Sequence, residues 1–421
     1  MTGKASELRT SNNIYRAYKF RLYPSQQQKE YFAKTFGCVR FIYNKMLEDK
    51  IKHYQETGER LRNHPAQYKD EYPFLKEVDS LALGNAQLNL ERAFRNFFRD
   101  KAVGFPKFKK KKSKQSYTTN NINGTIYIKN GRIRLPKLKS MVKIKQHRLI
   151  AGRIKSATVT QTPTGKYYIS ILVEEEITPL PKTNKAIGID LGLINFAVTS
   201  DGEIIQNPKW LRKSECRLRK LQKDLSRKKK GSRNWEKARL KVAKLYEKVA
   251  NQRRDFLHKL SSKIIRENQV IILEGLRVKN MLKNRCLSKS IGEAAWAEFR
   301  TMLEYKAKWY GRQIIIAPSS YASSQLCSYC GYKNEEVRNL RLREWTCPEC
   351  NSVHDRDVNA SENLLKLAIG FAPSRLGRPS ELGEPWWVAT IDQEAPTSKT
   401  TKLEQSTPWA GHCFVFRIEK N

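Results

Sequence analysis

The sequence predicts a multidomain α+β protein, with an antiparallel β-barrel or curled sheet in its first half and an α/β domain in its second. Three patterns support this fold class. Short strands separated by glycine turns fill Tyr117–Glu174, and apolar runs that end in a carboxylate alternate with long basic helices between Ala186 and Glu274. Two Cys-x-x-Cys pairs follow. The length of 421 residues is compatible with two or three domains.

A helical insertion is predicted after the first strand. Residues 18–22 alternate apolar and basic side chains, as a strand does. Ser25 followed by Gln28 is typical of a capping box at a helix start. A second helix is expected over Phe41–Tyr54 and a third over Asp79–Asp100.

The remaining strands of the first half are short, and turns such as Asn123-Gly124 and Asn130-Gly131 separate them. Pro179–Asn184 is predicted as a linker to the second half. The strands are expected at Thr125–Ile128, Arg132–Leu135, Val142–Lys145, Ala157–Thr160 and Tyr167–Leu172.

The second half opens with two strands at Ala186–Asp190 and Phe196–Thr199, followed by a turn at Asp201-Gly202 and a strand at Glu203–Ile205. Folds of the ribonuclease-H type begin in this way, with their first catalytic acid on the first strand. Further strands are expected at Val270–Leu273 and Gln313–Ala317, and helices at Leu211–Arg227, Asn234–Glu267, Glu293–Tyr310 and Val358–Ala368. Beyond Gly370 the composition predicts a mostly disordered tail.

The charge of the chain points to a polyanionic partner. Lys and Arg number 81 against 41 Asp and Glu, a formal charge of +40. Such a charge is self-repelling unless a polyanion neutralises it, so nucleic acid is the expected partner. A basic tail or a membrane-surface protein fits less well, because the charge is spread along the chain between aromatic residues. No apolar run could span a bilayer, and residues 1–10 do not resemble a secretory signal.

Three carboxylates are candidates for chemistry. Asp190 and Glu274 each end an apolar run that should be a buried strand, and Asp357 follows Asp355 where the last helix begins. Any one of them alone would be interpreted as a cap or an ion-pair partner. Together they could hold two Mg²⁺ ions for phosphodiester cleavage, since hard cations prefer oxygen ligands.

The cysteine pattern is more specific. Cys327-x-x-Cys330 and Cys347-x-x-Cys350 are separated by sixteen residues, the spacing of a four-thiolate zinc ribbon, and four thiolates leave no open position for water. We therefore expect one structural Zn²⁺ and a reducing compartment. His354 is expected to be a surface or hydrogen-bonded histidine, and no role is expected for His258 or for the scattered thiols Cys38, Cys216, Cys286 and Cys413.

Two basic stretches, Lys107–Lys114 and Arg217–Lys230, could follow phosphate backbones, although basic runs are usually solvated faces. Phe105 and Phe108 could stack on bases, but packing is the more common role for such rings.

Taken in order, the motifs resemble the TnpB family of transposon-encoded RNA-guided nucleases, which is related to the small type V CRISPR nucleases. The resemblance extends from about Tyr15 to Leu367. It rests on the Cys-x-x-Cys pairs and on YKFRLYP at 18–24, GFPKF at 104–108, AIGIDLG at 186–192, RDFLHKL at 254–260, ILEGL at 272–276 and HDRDVNA at 354–360.

The resemblance implies a wedge-like β-barrel with an inserted helical recognition bundle, followed by a RuvC-type nuclease domain with an inserted zinc ribbon. It implies a catalytic triad of Asp190, Glu274 and Asp357 rather than Asp355. The implied boundaries are residues 1–13 for a flexible N-terminus, 14–29 and 104–180 for the barrel, 30–103 for the recognition domain, 181–322 and 353–369 for the nuclease, 323–352 for the zinc ribbon, and 370–421 for the tail.

The implied partners are a guide RNA derived from the transposon end and double-stranded target DNA cut beside a short flanking motif. A ribonucleoprotein with one copy of the chain, in the cytoplasm of a prokaryote and on its nucleoid when bound to DNA, is expected. Asn351 stands where relatives often have Gly. Gly84 stands where relatives can have a polar side chain, which leaves the identity of the flanking motif open. A non-catalytic RNA-binding regulator of transposition and a transposase or recombinase remain the alternatives.

Overall fold

A computed structural model describes residues 13–112 and 114–368. The flexible N-terminus predicted for residues 1–13 lies outside this range except at its last residue, and so does the tail predicted for residues 370–421. No helix in the described part of the chain is long and apolar enough to cross a membrane.

The first half is built on a seven-stranded antiparallel sheet. Its order is β2-β6-β7-β1-β5-β4-β3, with β2 and β3 as edges, so within the described residues it is a curled half-barrel and not a closed barrel. The strands are β1 (Asn13–Tyr23), β2 (Gln115–Asn120), β3 (Tyr127–Lys129), β4 (Arg132–Arg134), β5 (Val142–Lys145), β6 (Arg153–Gln161) and β7 (Tyr167–Glu176).

Two helices lie between β1 and β2, and they pack on the sheet in one hydrophobic core. Helix α1 (Gln26–Thr57) begins at the predicted capping box of Ser25 and Gln28. The expectation of two separate helices here is wrong, because α1 continues without a break through Gly37. Helix α2 (Ser80–Arg99) matches its prediction.

The second half contains a five-stranded sheet with the order β10-β9-β8-β11-β12. Strand β8 pairs antiparallel with β9 and parallel with β11, which pairs parallel with β12. The strands are β8 (Ala186–Leu191), β9 (Asn195–Thr199), β10 (Ile204–Gln206), β11 (Val270–Leu273) and β12 (Gln313–Ile316). The alternation of short strands and turns predicted from residue 186 onward is therefore confirmed.

Among the described residues, the second half has six α-helices: α3 (Trp210–Ser226), α4 (Arg233–Glu267), α5 (Val278–Met281), α6 (Ser288–Ala294), α7 (Trp296–Tyr310) and α8 (Arg356–Ala368). The single helix expected at Glu293–Tyr310 is interrupted, because Ala295 has a left-handed φ of 56° between α6 and α7. Helices α4 and α7 pack on one side of the sheet, and α8 packs against β8, β9 and β11.

The predicted linker is fixed to the second half. The Leu180 N–H donates to Tyr310 O (3.2 Å), and the Arg312 guanidinium donates to Pro181 O (2.9 Å). The two halves also touch directly, since the guanidinium of Arg16 lies 5.1 Å from the ring centroid of Trp309. The linker therefore holds the halves in one arrangement rather than acting as a free tether.

The cysteine module, residues 323–352, lies between β12 and α8. Two strands, β13 (Glu344–Thr346) and β14 (Val353–Asp355), pair as it joins α8. Its core is small, with Val337 and Trp345 packed against Cys327 and Cys347. A core of this size needs additional stabilisation.

Candidate active site and metal centre

Two of the predicted acids meet at one edge of the second sheet. Strands β8 and β11 are parallel, and Ile189 pairs with Leu273. Asp190 directly follows Ile189, and Glu274 directly follows Leu273. The two acids therefore lie side by side near the carboxyl ends of the two strands. Both side chains are half-buried.

The third acid comes from α8. A Cβ on Gly188 would lie 2.0 Å from Ser361 O, so the backbone of α8 touches β8 at this glycine. Asp357 is one helical turn before Ser361, a rise of about 6 Å, and Asp190 is two strand residues beyond Gly188, about 6.6 Å. The two displacements match, and Asp357 therefore reaches the carboxylate edge, the name we use for Asp190, Glu274 and Asp357.

The electrostatics of Asp190 support this convergence. Burial raises the pKa of Asp190 to about 8, and the neighbouring carboxylates of Glu274 and Asp357 add to the increase. The Arg356 side chain acts in the opposite direction. Burial also raises the pKa of Glu274. Acids forced together in a partly dry site are held most readily when cations neutralise them.

The neighbouring acid Asp355 has a different role. Its Oδ1 accepts hydrogen bonds from the N–H groups of Asp357 and Val358, both at 2.9 Å, so it caps the start of α8. It is exposed to solvent. Asp355 is thus a helix cap, and the choice of Asp357 over Asp355 as a catalytic acid stays a prediction.

Arg343 is a residue of this site that the sequence reasoning missed. It belongs to the cysteine module, and its guanidinium lies 3.3 Å from Asp357 Oδ1. Arg356 N donates to the Arg343 backbone oxygen at 2.7 Å, which fixes this part of the chain beside α8. The only available signal was its position four residues before Cys347, and that spacing alone does not suggest a role.

The four predicted cysteines form one cluster. Their sulfur atoms all lie within 4.8 Å of one another, and two pairs are separated by 3.5 and 3.6 Å. Four thiolates around Zn²⁺ at about 2.3 Å would be about 3.8 Å apart, so the residues fit a tetrahedral zinc site. In the described part of the chain, no group of three or more carboxylates is as compact. The carboxylate edge is thus wider than the ligand set of one ion.

The backbone around the cysteines forms two equivalent turns. Gly331 N donates to Cys327 O and Asn351 N donates to Cys347 O, each at 2.9 Å. Gly331 has φ of 80° and Asn351 has φ of 58°. Asparagine adopts this left-handed conformation more readily than most residues, so the departure at Asn351 leaves the turn intact.

His354 is buried and hydrogen-bonded, which agrees with one of the two expected roles and excludes a surface position. Its Nε2 lies 2.8 Å from Ser352 Oγ and 3.1 Å from Cys327 Sγ. Its ring packs between Trp345 and Tyr329. His354 therefore supports a cysteine ligand from outside the four-sulfur cluster, as residues next to metal sites commonly do.

The cysteine module is joined to the carboxylate edge through α8. The Asn359 amide donates to Leu326 O (2.7 Å) and accepts from Ser328 N (2.8 Å). The Asn363 amide donates to Ser323 O and Leu326 O. Because these asparagines lie on the same helix as Asp357, the start of the module and the third acid are positioned by one element.

Profile comparisons give three matches along the chain. Residues 169–285 match a family described as "Probable transposase", OrfB_IS605. Residues 296–364 match the Cas12f1-like TNB domain. Residues 12–59 match a helix-turn-helix domain of OrfB_IS605, although this region consists of β1 followed by the uninterrupted helix α1.

Whole-chain relatives are also found. The chain is 40% identical over 395 residues to a "Putative RNA-guided DNA endonuclease" of Streptomyces pristinaespiralis, covering 90% of this chain and 96% of the relative. It is 33% identical over 392 residues to "Putative RNA-guided DNA endonuclease InsQ" of Escherichia coli strain K12, with coverages of 88% and 96%.

Among solved structures, the "Cryo-EM structure of the Cas12f1-sgRNA-target DNA complex" superimposes with a TM-score of 0.57. The match covers 84% of this chain and 99% of the other, at 15% sequence identity. At that identity the match establishes the shared multidomain α+β fold.

Proposed function

Because the chain belongs to the TnpB family of transposon-encoded proteins, we propose that it is an RNA-guided DNA endonuclease. The observation that carries the proposal is the convergence of Asp190, Glu274 and Asp357 from three distant parts of the sequence. The same activity stands in the names of two relatives, and the match covers 96% of each of them.

The carboxylate edge has the ligand chemistry for two Mg²⁺ ions. Asp190 lies between the other two acids and would be shared, while Glu274 and Asp357 would each hold one ion from its side. Bound ions of this kind activate an attacking water and stabilise the leaving oxygen of a phosphodiester. We interpret the five-stranded sheet with α8 as a RuvC-type, ribonuclease-H-like domain on this basis.

Arg343 is the cation that contacts an acid of this site directly, at 3.3 Å from Asp357 Oδ1. With ions bound to the carboxylates, its guanidinium would be able to donate to a phosphate oxygen of the cut strand instead of Asp357. Arginine suits this task because its planar fork matches phosphate geometry. Arg343 would then orient the scissile phosphate and balance its charge.

Sequence specificity would come from base pairing. The formal charge of +40 supplies affinity for phosphates but carries no sequence information. A guide RNA derived from the transposon end would select the target, and the protein would read only a short motif beside it. We assign residues 14–29 and 104–180 to a wedge domain, 30–103 to recognition, 181–322 and 353–369 to the nuclease, and 323–352 to a structural zinc ribbon.

The test compares a matched guide with a scrambled guide on one plasmid at moderate salt with Mg²⁺. We expect double-strand cutting with the matched guide alone, and negligible cutting without RNA. Equal cutting by both guides would reduce the proposal to a basic metal-dependent nuclease.

Two other results would favour the alternatives. Guide-dependent DNA binding without cutting, at any divalent metal concentration, would indicate a regulator of transposition. Joining of two DNA ends would indicate a transposase or recombinase. A single copy of the chain per RNA in light scattering is the expected stoichiometry.

A further inference from the structure

A cleft lies between α1 and the segment that follows Gly104, and none of the three acids of the carboxylate edge lines it. Its volume is about 430 Å³, within the range of ligand-binding clefts. Aromatic, cationic and acidic side chains share it, and the lining residues are Gly37, Arg40, Phe41, Asn44, Lys45, Glu48 and Phe108.

Phe108 forms one wall of the cleft, and its backbone is held in place although its ring is exposed. The Asn44 amide clamps the backbone of Lys109, donating to its oxygen at 3.0 Å and accepting from its N–H at 2.8 Å. The Lys109 ammonium lies 3.8 Å from the centroid of the buried Tyr43 ring. Phe108 is the preceding residue, yet its side chain is 51% exposed. An exposed aromatic on a fixed backbone loses little freedom when it binds a ligand.

A second aromatic side chain of the lining is also held by neighbouring rings. Phe41 makes edge contacts with Tyr72 and Phe74, at ring-centroid distances of 4.7 and 5.2 Å. It is only partly buried, and it lines the same cleft as Phe108. Two aromatic walls therefore border a space large enough for one planar ring.

The charges around the cleft favour an anionic ligand that carries hydrogen-bond donors. Arg40 and Lys45 lie in the lining, and Lys107 is exposed beside Phe108 in the basic run predicted above. Lys45 also pairs with Asp49 at 3.0 Å. Glu48 is an exposed acceptor in the same lining. A simple polyanion would have no use for the rings, and an apolar ligand would have no use for the cations.

We infer that this cleft binds an unpaired nucleotide of single-stranded RNA, with its base between Phe41 and Phe108 and its phosphates near Arg40 and the lysines of residues 107–112. Bases in a duplex are already stacked, so an unpaired nucleotide is required. Glu48 favours RNA, because a carboxylate can accept from a ribose 2′-OH that DNA lacks. The inference rests on the proposed RNA partner and adds a site to it.

The experiment uses the full chain freed of nucleic acid, with short single-stranded oligoadenylate RNA as the probe. Loss of one base stack should weaken binding of Phe108→Ala by about tenfold or more. Because stacking is not ionic, the dependence of log Kd on log salt should keep its slope. Phe108→Trp should restore binding, and Tyr127→Ala, which removes a ring that is 46% exposed on β3, is the matched control.

Crosslinking locates the nucleotide independently. RNA that carries 5-iodouridine should crosslink to peptides containing Phe108 or Phe41. Crosslinks found only elsewhere, or equal binding by Phe108→Ala and Tyr127→Ala, would overturn the inference. Stronger binding of the corresponding oligodeoxyadenylate, with no effect of Glu48→Gln on the RNA-to-DNA ratio, would overturn the assignment to RNA.

Failure of this site can be told apart from failure of the proposed function. If guide-dependent cutting is observed while Phe108→Ala binds RNA normally, only the cleft is excluded. If the wild-type chain binds no RNA, the RNA-guided function fails with it.

Discussion

The carboxylate edge and the cysteine module reach their geometry in opposite ways. The cysteines come from 24 consecutive positions and are arranged by two local turns. The acids come from positions 190, 274 and 357, and they meet only because β8, β11 and α8 pack together. A local site can be stabilised by its own metal, whereas a non-local site depends on the whole sheet.

This difference has an energetic counterpart. The module buries few apolar side chains, so a zinc ion bound by its four cysteines would supply much of its folding free energy. The carboxylate edge differs, because the rest of the fold holds its acids together at a cost in free energy. Burial and like charges make the ionised form of Asp190 unfavourable without cations. The predictions below test this contrast, beginning with the largest expected effect.

Asp190→Ala should lower DNA cutting by about a thousandfold or more, because it removes the carboxylate shared between the two proposed ion positions. Guide RNA affinity should stay nearly unchanged, since it comes from dispersed cations. Single-turnover cleavage and RNA titration measure the two quantities. Glu274→Ala and Asp357→Ala should resemble it without adding to it, and wild-type cutting by Asp190→Ala would remove this residue from the site.

Cys327→Ser should lose most of the bound zinc and make residues 323–352 sensitive to protease. Because Asn359 and Asn363 join this module to α8, cutting should fall as well. Elemental analysis and limited proteolysis check the change against Cys286→Ser, an exposed thiol outside the cluster. A wild-type protein without zinc would contradict the local half of the comparison.

Arg343→Ala tests whether the cysteine module affects cutting through the Arg343 side chain or only by supporting the position of α8. We expect cutting to fall by about a hundredfold, as for other lost electrostatic contacts, while the zinc content stays constant. Arg341→Ala, an exposed arginine in the same loop, is the control. Equal rates for both variants would show that only the fold of the module matters.

Gly188→Ala tests the packing that brings Asp357 to the edge. A Cβ here would meet Ser361 O at 2.0 Å and push α8 away, which should cost about 2 to 3 kcal/mol of unfolding free energy. Gly84→Ala is the control, since nothing lies within 4 Å of its Cβ position and a helix should gain about 0.5 to 1 kcal/mol. Urea denaturation compares them, and similar midpoints would refute the close contact.

The smallest effect concerns the pH dependence of the metal-free protein. An aspartate has a pKa of about 3.9 in an unfolded chain, and that of Asp190 is raised to about 8 by burial and by the two acids. Between these values the folded state keeps a proton that the unfolded state has lost, so stability falls as pH rises.

Asp190→Asn removes the carboxyl group and with it this loss of stability at rising pH. In EDTA its Tm should exceed that of the wild type, by a margin that grows from about pH 5 to about pH 8. Added Mg²⁺ should narrow the margin because it stabilises only the wild type. Asp355→Asn, in the exposed helix cap, should show no such gain, and a Tm difference that is independent of pH would contradict the raised pKa.

Several features were predictable from the sequence. The spacing of Cys327, Cys330, Cys347 and Cys350 implied their cluster, since a short loop leaves few alternatives. Apolar runs ending in Asp190 and Glu274 indicated buried strands, and β11 and β5 have the predicted bounds. The charge indicated a polyanionic partner, which remains a proposal for this chain together with the roles of the acids.

Other features required the folded chain. Two helices were expected where α1 is continuous, because a glycine inside a helix lowers helix stability by only about 1 kcal/mol relative to alanine and does not have to end it. Ala295 carried no signal for the break that does occur, since alanine favours a helix and yet has a left-handed φ of 56° here. The open edges of the first sheet likewise depend on strand order, which local propensity does not encode.

The sequence by itself determined which residue types could form both sites, because the ligand chemistry of a side chain and the spacing of nearby residues do not depend on the fold. Only the tertiary structure brought Asp357 near Asp190, made Asp355 a helix cap, and placed Arg343 beside Asp357. The physical reason is that α8 packs against β8 with one of its sides. The absence of a Cβ at Gly188 lets the backbone of α8 approach the strand. Which side chains then meet depends on that contact between residues far apart in the chain.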